Sequence, residues 1–265
     1  MHEAVEPSPL SVIAEQVKRR IFAVQDYALL CFRAITNIFT APRYFPETLE
    51  QMDVIGVGSL PIVMLTGFFI GAVMVLQTSS QFARFGQTAL TGDVVAIALV
   101  RELGPSISAL LVAGRNSSGI ASELGSMVVT EQVDAMRAMG TDPLRKLVTP
   151  RVVATILMLP LLTAVADFVG LVGGFLVSNL ELRLNPVQYW TRAVDALEFG
   201  DLIQGLTKPL IFGFILSTVG CYQGLRVRGG TQGVGRATTQ AVVVASVLIL
   251  VVNFFLTRFL LWIFQ

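Results

Sequence analysis

The chain is short of charge, histidine and cysteine. Of its 265 residues 14% are charged and 54% hydrophobic, whereas an ordinary soluble domain carries about 25% charged residues. So few charges cannot coat a water-facing surface of this size, which excludes a soluble globular enzyme and a disordered chain. Lys and Arg total 19 against 18 Asp and Glu, a net charge of +1, so no bulk field attracts nucleic acid. The single histidine is His2. That removes HExxH zinc sites, Ser-His-Asp triads and Cys-His pairs together. Cys31 and Cys221 lie far apart in apolar stretches, with neither a disulfide framework nor metal-ligand spacing. No GxxxxGK[ST] motif occurs, so the chain carries no phosphate-binding loop. The glycine-rich run 229–235 mimics one but lacks the lysine, and reads as a flexible turn. The first thirty residues contain Lys18, Arg19 and Arg20 and no clean apolar core, so no cleavable signal peptide is expected.

What the chain has is apolar length. A bilayer core of about 30 Å needs about 20 helical residues. Five stretches qualify: 54–77, which is uncharged; 94–114, with Arg101 and Glu102; 152–180, with Asp167; 202–225, with Lys208; and 237–264, with Arg258. The expected fold class is an all-α membrane protein with five transmembrane helices. Lys18, Arg19, Arg20, Arg33 and Arg43 precede the first span. Arg115, Arg137, Arg145, Lys146 and Arg151 fall between the second and third, and Arg226, Arg228 and Arg236 between the fourth and fifth. Only Arg84, Arg183, Arg192 and Arg258 lie on the other side. This asymmetry predicts a cytoplasmic N-terminus and a C-terminus on the outer side.

Region 1–46 precedes the spans. Ile13, Val17, Ile21, Val24, Ala28, Cys31, Ile35 and Phe39 recur at helical steps and predict an amphipathic helix. It either lies in the membrane interface or packs against the bundle, and the two are compatible. The inner loop 115–151 is too long for a simple connection, and its centre, 130–140, reads as a short helix. Thr130 is suited to cap it and Gly140 to end it. Val133, Ala135, Met136 and Met139 form an apolar face, and Glu131, Asp134 and Arg137 a polar one. Pro143 fits the first turn of the next helix. Such a helix either engages a cytoplasmic partner or lies flat on the membrane. On the outer side, Asn185 and Pro186 open another short helix, whose Tyr189 and Trp190 suit an interfacial aromatic belt.

Charges inside spans are costly and usually functional. At 1.5 Å per residue, Glu102 lies about 13 Å and Lys208 about 10 Å below the outer boundary. Asp167 lies about 22 Å and Asn253 about 24 Å above the inner one. These four, with Arg101, therefore share the outer half. Arg101, Glu102, Asp167 and Lys208 sum to zero charge. They form either a structural network, such as a Glu102–Lys208 pair, or a polar patch in a cavity. Arg101 points about 100° from Glu102, toward another neighbour. Gly67/Gly71 and Gly170/Gly174 are GxxxG pairs available for close helix contacts, including a dimer seam. Pro61, Pro105, Pro160 and Pro209 are expected to kink their helices.

An ordered motif series resembles the MlaE family of bacterial ABC permeases. It comprises Leu99-Val100-Arg101-Glu102-Leu103-Gly104-Pro105, Ala113-Gly114-Arg115, Ser122-Glu123-Leu124-Gly125, Thr130-Glu131-Gln132 with Asp134-Ala135, and Asp142-Pro143-Leu144-Arg145. Gly235-Arg236-Ala237-Thr238-Thr239 and Phe255-Leu256-Thr257 are similar too. The resemblance runs from about residue 45 to the end, and assigns 47–265 as the permease domain. It implies a homodimer in the bacterial inner membrane, with the C-terminus periplasmic. It also implies a phospholipid cargo, two copies of a separate ATPase that uses ATP, and a periplasmic MCE-domain partner. Some members recruit a small STAS-domain protein through the ATPase. The chain itself is expected to bind no cofactor or metal and to carry no catalytic residue. Under this resemblance Glu131, Gln132, Asp134, Met136, Arg137 and Met139 form the ATPase-coupling helix. Arg101, Glu102, Asp167, Lys208 and Asn253 are the polar candidates in the lipid cavity. Family members often carry an aspartate where this chain has Asn253, which weighs against a charge-based role there. Two other readings stay open: an ion-coupled secondary transporter using Glu102 or Asp167, and a passive scaffold. No internal repeat supports the former.

Overall fold

The computed structural model describes residues 9–40, 44–180 and 185–264. Among these, every regular element is helical, as the shortage of charge and the long apolar runs require. Eleven α-helices follow in order: α1 (Pro9–Thr40), α2 (Phe45–Ile55), α3 (Leu60–Ala83), α4 (Thr91–Ala98), α5 (Gly104–Val112), α6 (Ser118–Val129), α7 (Gln132–Ala138), α8 (Thr149–Leu180), α9 (Pro186–Asp195), α10 (Phe199–Leu225) and α11 (Gly230–Phe264). Two π-helical turns, Leu99–Leu103 and Ala113–Ser117, join α4, α5 and α6 into one long rod, and a third, Leu144–Val148, leads into α8.

Six of the described helical stretches are long and apolar enough to cross a membrane. Five contain the expected spans. The sixth, Ile21–Thr40, is the least apolar and belongs to α1. The spans are longer than composition indicated. The second runs on to Val129, so the expected inner loop 115–151 shrinks to 130–143. Arg115 ended the apolar run but not the helix. Its Nη1 donates to the Val54 carbonyl and the Ser59 hydroxyl, at 2.9 and 3.0 Å. The glycine-rich turn is also shorter than expected. Gly229 and Gly230 take φ of 88° and 66°, but helix α11 begins at Gly230.

Helix α8 is the central post, packed on α3 and α10, and α10 packs in turn on α6 and α11. The α3–α8 contact is made by glycine. A Cβ on Gly71 would lie 1.8 Å from the Gly170 carbonyl oxygen, and one on Gly67 would lie 2.6 Å from that of Ala166. Both GxxxG pairs therefore face each other within one chain, and neither is free for a dimer seam. Close approach gains dispersion contact that lipid cannot supply. Apolar side chains fill the remaining space, including Val63, Leu159, Leu162, Phe212, Leu216 and Ile249. Pro61 sits in the first turn of α3, where a missing N–H is tolerated, and Pro105 sits just after the π turn inside the second span's rod. Pro160 and Pro209 do lie inside helices.

Helix α1 exists as expected but docks with another face. Tyr27 hydrogen-bonds Thr218 at 2.9 Å, the Tyr222 hydroxyl donates to the Ala23 carbonyl at 2.9 Å, and Asp26 pairs with Arg226 at 2.8 Å. Ala34 and Asn37 are buried, whereas Ile21, Val24, Ile35 and Phe39 of the expected stripe are exposed. The side chains of Ile13 and Val17 lie outside the described residues, as does Arg183. The predicted apolar stripe thus points away from the protein, while a mixed polar face holds the helix to α10. On the far side, Asn185 caps α9 by accepting from the Val187 and Gln188 amides. Tyr189 is not a belt residue. It is 4% exposed in a cluster with Val75 and Val95, and burial pushes its hydroxyl up to about 12. Trp190 stays partly exposed and packs edge-on against Phe175.

Candidate functional site

The polar cluster forms where the second span leaves α-helical geometry. Pro105 has no N–H to offer the carbonyl of Arg101, four residues earlier. The turn Leu99–Leu103 widens to π geometry, with the Gly104 amide bonded to the Leu99 carbonyl. Such bulges recur at functional sites because they re-aim consecutive side chains. Arg101 and Glu102 then reach different parts of α10. Gly205 of α10 allows this closeness, since a Cβ there would lie 2.7 Å from the Val100 carbonyl oxygen.

Lys208 is the anchor. Its side chain is fully buried, and Nζ donates to Glu102 Oε1 at 2.5 Å and to the Arg101 carbonyl at 2.7 Å. Glu102 also accepts from Thr257 Oγ1 at 2.8 Å and from Asn253 Nδ2 at 3.3 Å. One carboxylate therefore joins the second, fourth and fifth spans. Glu102 keeps 38% of its side chain exposed while Lys208 has none, so the acid faces outward and the base stands behind it. Arg101 turns away as expected and pairs with Asp201, 1% exposed. Asp201 has a second task. Its other oxygen accepts from the Glu198 amide at 3.1 Å, closing a capping box at the start of α10.

Asp167 does not join this network. It lies against the other face of the second span, where a Cβ on Gly104 would touch Oδ1 at 1.7 Å. Oδ1 has no hydrogen-bond partner, and the residue lines a cavity of about 10 Å³, the lower limit for one water. Depth arithmetic thus placed all four side chains in the outer half, but only Glu102, Lys208 and Asn253 meet. Thr257 and Asp201 were missed as members. Thr257 was legible in principle, since it follows Asn253 by four residues on one helical face. Among the described residues no cluster of metal-ligating side chains occurs.

The short helix of the inner connection is α7. Glu131, its N-cap, is left-handed with φ 58°. Thr130 does not cap it, because its hydroxyl donates back to the Ser126 carbonyl at 2.9 Å, finishing α6 instead. Gly140, φ 76°, ends α7 in a Schellman turn. Thr141 N bonds the Met136 carbonyl at 2.9 Å and Gly140 N that of Arg137 at 3.0 Å. The expected apolar face divides. Val133 is 2% exposed and Met136 packs with it on the bundle, while Met139 is 74% exposed. Gln132, Ala135 and the Asp134–Arg137 pair, 2.8 Å apart, are exposed. α7 is a knuckle rooted in the bundle through Val133, with a polar outer surface and one free methionine.

A helical bundle long enough to cross a membrane several times, with an ion-pair cluster between its helices, is the architecture of a membrane permease. Residues 48–259 match the family Permease MlaE, and the chain belongs to that family. It is 45% identical over 238 residues to a probable ABC transporter permease protein of Rickettsia typhi, covering 90% of this chain and 92% of the relative. It is 32% identical over 249 residues to the intermembrane phospholipid transport system permease protein MlaE of Haemophilus influenzae, covering 94% and 95%. A chloroplast protein of Arabidopsis thaliana, trigalactosyldiacylglycerol 1, is 36% identical over 231 residues, 87% of this chain and 66% of that one. The chain is a multi-pass ABC permease subunit and not an enzyme.

Proposed function

We propose that this chain is the membrane subunit of an ABC transporter that moves phospholipids between the bacterial inner membrane and a periplasmic MCE-domain protein. Outer-membrane lipid homeostasis is the process it serves. The observation that carries the reading is the asymmetry of the Glu102–Lys208 pair. A buried lysine fixes a partly exposed carboxylate between three membrane helices. That arrangement offers a polar contact for a headgroup and leaves the acyl chains among apolar side chains. Asn253 and Thr257 orient the carboxylate, and Arg101 with Asp201 caps the outer end. The named function of the Haemophilus influenzae relative favours this cargo.

Two copies of the chain form the transporter. α7 engages a separate ATPase, which supplies the ATP hydrolysis this chain lacks, and a STAS-domain protein binds through that ATPase where one is present. The basic residues favour a cytoplasmic N-terminus and a periplasmic C-terminus. α1 then lies in the inner interface, its exposed stripe of Ile21, Val24, Ile35 and Phe39 in lipid. An ion-coupled secondary transporter using Glu102 or Asp167 is less economical, because Glu102 is already held by Lys208, Thr257 and Asn253 and Asp167, on α8, lies apart from that cluster. A passive scaffold gives Glu102 no task. The test is ATP-driven phospholipid movement in proteoliposomes holding this chain with its co-purified ATPase. Transport should need ATP and fall at least about tenfold in Glu102→Ala, the loss of one charge-assisted contact. Transport driven by an ion gradient without ATPase, or unchanged in Glu102→Ala, would overturn the proposal.

A further inference from the structure

The second span carries another polar recess, about 21 Å along its axis from Glu102 and so near the opposite membrane boundary. A cavity of about 270 Å³ opens there between α2 and the rod, with Gln51, Arg115, Asn116, Gly119 and Glu123 in its lining. The π turn Ala113–Ser117 presents Arg115 and Asn116. Arg115 is pinned at the edge through Nη1 by the Val54 carbonyl and Ser59, which leaves the rest of the guanidinium to donate. Asn116 is 5% exposed. Its Oδ1 accepts from Arg115 at 3.4 Å, while Nδ2 has no partner. A buried amide donor left unpaired costs about 1–3 kcal/mol, and this one, closed off from solvent, meets an acceptor in the recess after a turn of the side chain. At the other end Glu123 gives Oε2 to Arg151 at 2.9 Å, and its side chain is 51% exposed. Between them, a Cβ on Gly119 would meet nothing within 4 Å. The space belongs to no side chain.

We infer that this recess is a second binding site, for the phosphodiester headgroup of a zwitterionic phospholipid from the leaflet opposite the Glu102 cluster. The inference rests on the phospholipid reading above. Arg115 and the Asn116 amide donate to phosphate oxygens, in the geometry that makes arginine a preferred phosphate partner. Glu123 repels a bare anion but attracts the ammonium of an amine-bearing headgroup. The volume is just under the about 300–1,000 Å³ of small-ligand sites. It holds a headgroup and leaves the acyl chains outside, in the bilayer. One helix rod thereby carries a polar station in its outer half and another near its inner end.

The test uses the full chain, reconstituted in phosphatidylethanolamine–phosphatidylglycerol vesicles. These contain a trace of phosphatidylethanolamine bearing a photoreactive diazirine near the top of one acyl chain. Crosslinked peptides are mapped by mass spectrometry. Labelling is expected both on the segment 115–123 and on the peptide holding Thr257. Gly119→Leu projects into the recess from a position where a Cβ meets nothing within 4 Å, and should cut the first about tenfold, equivalent to about 1.4 kcal/mol of affinity, while sparing the second. Asn116→Asp replaces the free donor by an acceptor and should act in the same direction. If only the Thr257 peptide is labelled, or if neither variant changes labelling at 115–123, the recess is not a lipid site. Labelling of that segment abolished by excess inorganic phosphate would assign it to a soluble anion and overturn the lipid assignment. Loss of both labels in the unmodified chain would bring down the phospholipid reading itself.

Discussion

Lys208 Nζ lies 2.5 Å from Glu102 Oε1, with the lysine wholly buried and the glutamate 38% exposed. Removing one partner of a buried pair leaves an uncompensated charge and costs about 3–5 kcal/mol, whereas replacing both by apolar residues is often neutral. Glu102→Leu leaves the wholly buried Lys208 without its partner and should therefore lower the melting temperature of the purified chain sharply. The double variant Glu102→Leu/Lys208→Met should recover most of it. Transport should stay lost in both. A double variant as unstable as the single one would contradict this, as would one that transports.

Asp201 serves Arg101 and the start of α10 at once, and two substitutions separate those tasks. Asp201→Asn keeps an acceptor for the Glu198 amide while dropping the charge; Asp201→Ala loses both. Chemical denaturation in detergent should show alanine worse than asparagine by about 1 kcal/mol, the usual worth of a cap. Equal losses would mean that the ion pair, not the cap, dominates.

The α3–α8 contact leaves no room for a methyl group at Gly71. Gly71→Ala should cost about 1–3 kcal/mol through forced backbone separation, and Gly71→Leu should abolish folded yield. Gly114→Ala, where a Cβ meets nothing within 4 Å, should melt like the parent. Differential scanning fluorimetry of the three would decide it, and a stable Gly71→Leu would refute the packing argument.

α7 separates rooting from coupling. Val133→Asp buries a charge in the bundle and should destabilise the chain by several kcal/mol. Met139→Asp places a charge on a side chain already 74% exposed and should leave melting unchanged. If α7 is the ATPase contact, Met139→Asp should still reduce permease-stimulated ATP hydrolysis in the assembled complex. Unaltered hydrolysis with unaltered melting would remove Met139 from the interface.

The sequence by itself determined the class of fold, because five apolar runs with few charges have no stable place outside a bilayer. It determined that Glu102, Lys208 and Asn253 share the outer half of the bilayer, since helical rise is a fixed quantity. It also placed Gly140 and Asn185 as helix punctuation, because those residues act on their own neighbours. Only the tertiary structure decided which way each helix faces. A rotation about the helix axis changes partners without changing depth, so Asp167 lies at the level of the cluster yet apart from it. For the same reason the exposed stripe of α1, the inward Tyr189 and the facing glycines of α3 and α8 were not legible. The reach of the second span to Val129 was hidden because Arg115, polar in sequence, is anchored within the rod through Nη1 by Val54 and Ser59. Depth is a property of one helix, whereas partnership belongs to two, and it is set by packing that no single segment encodes.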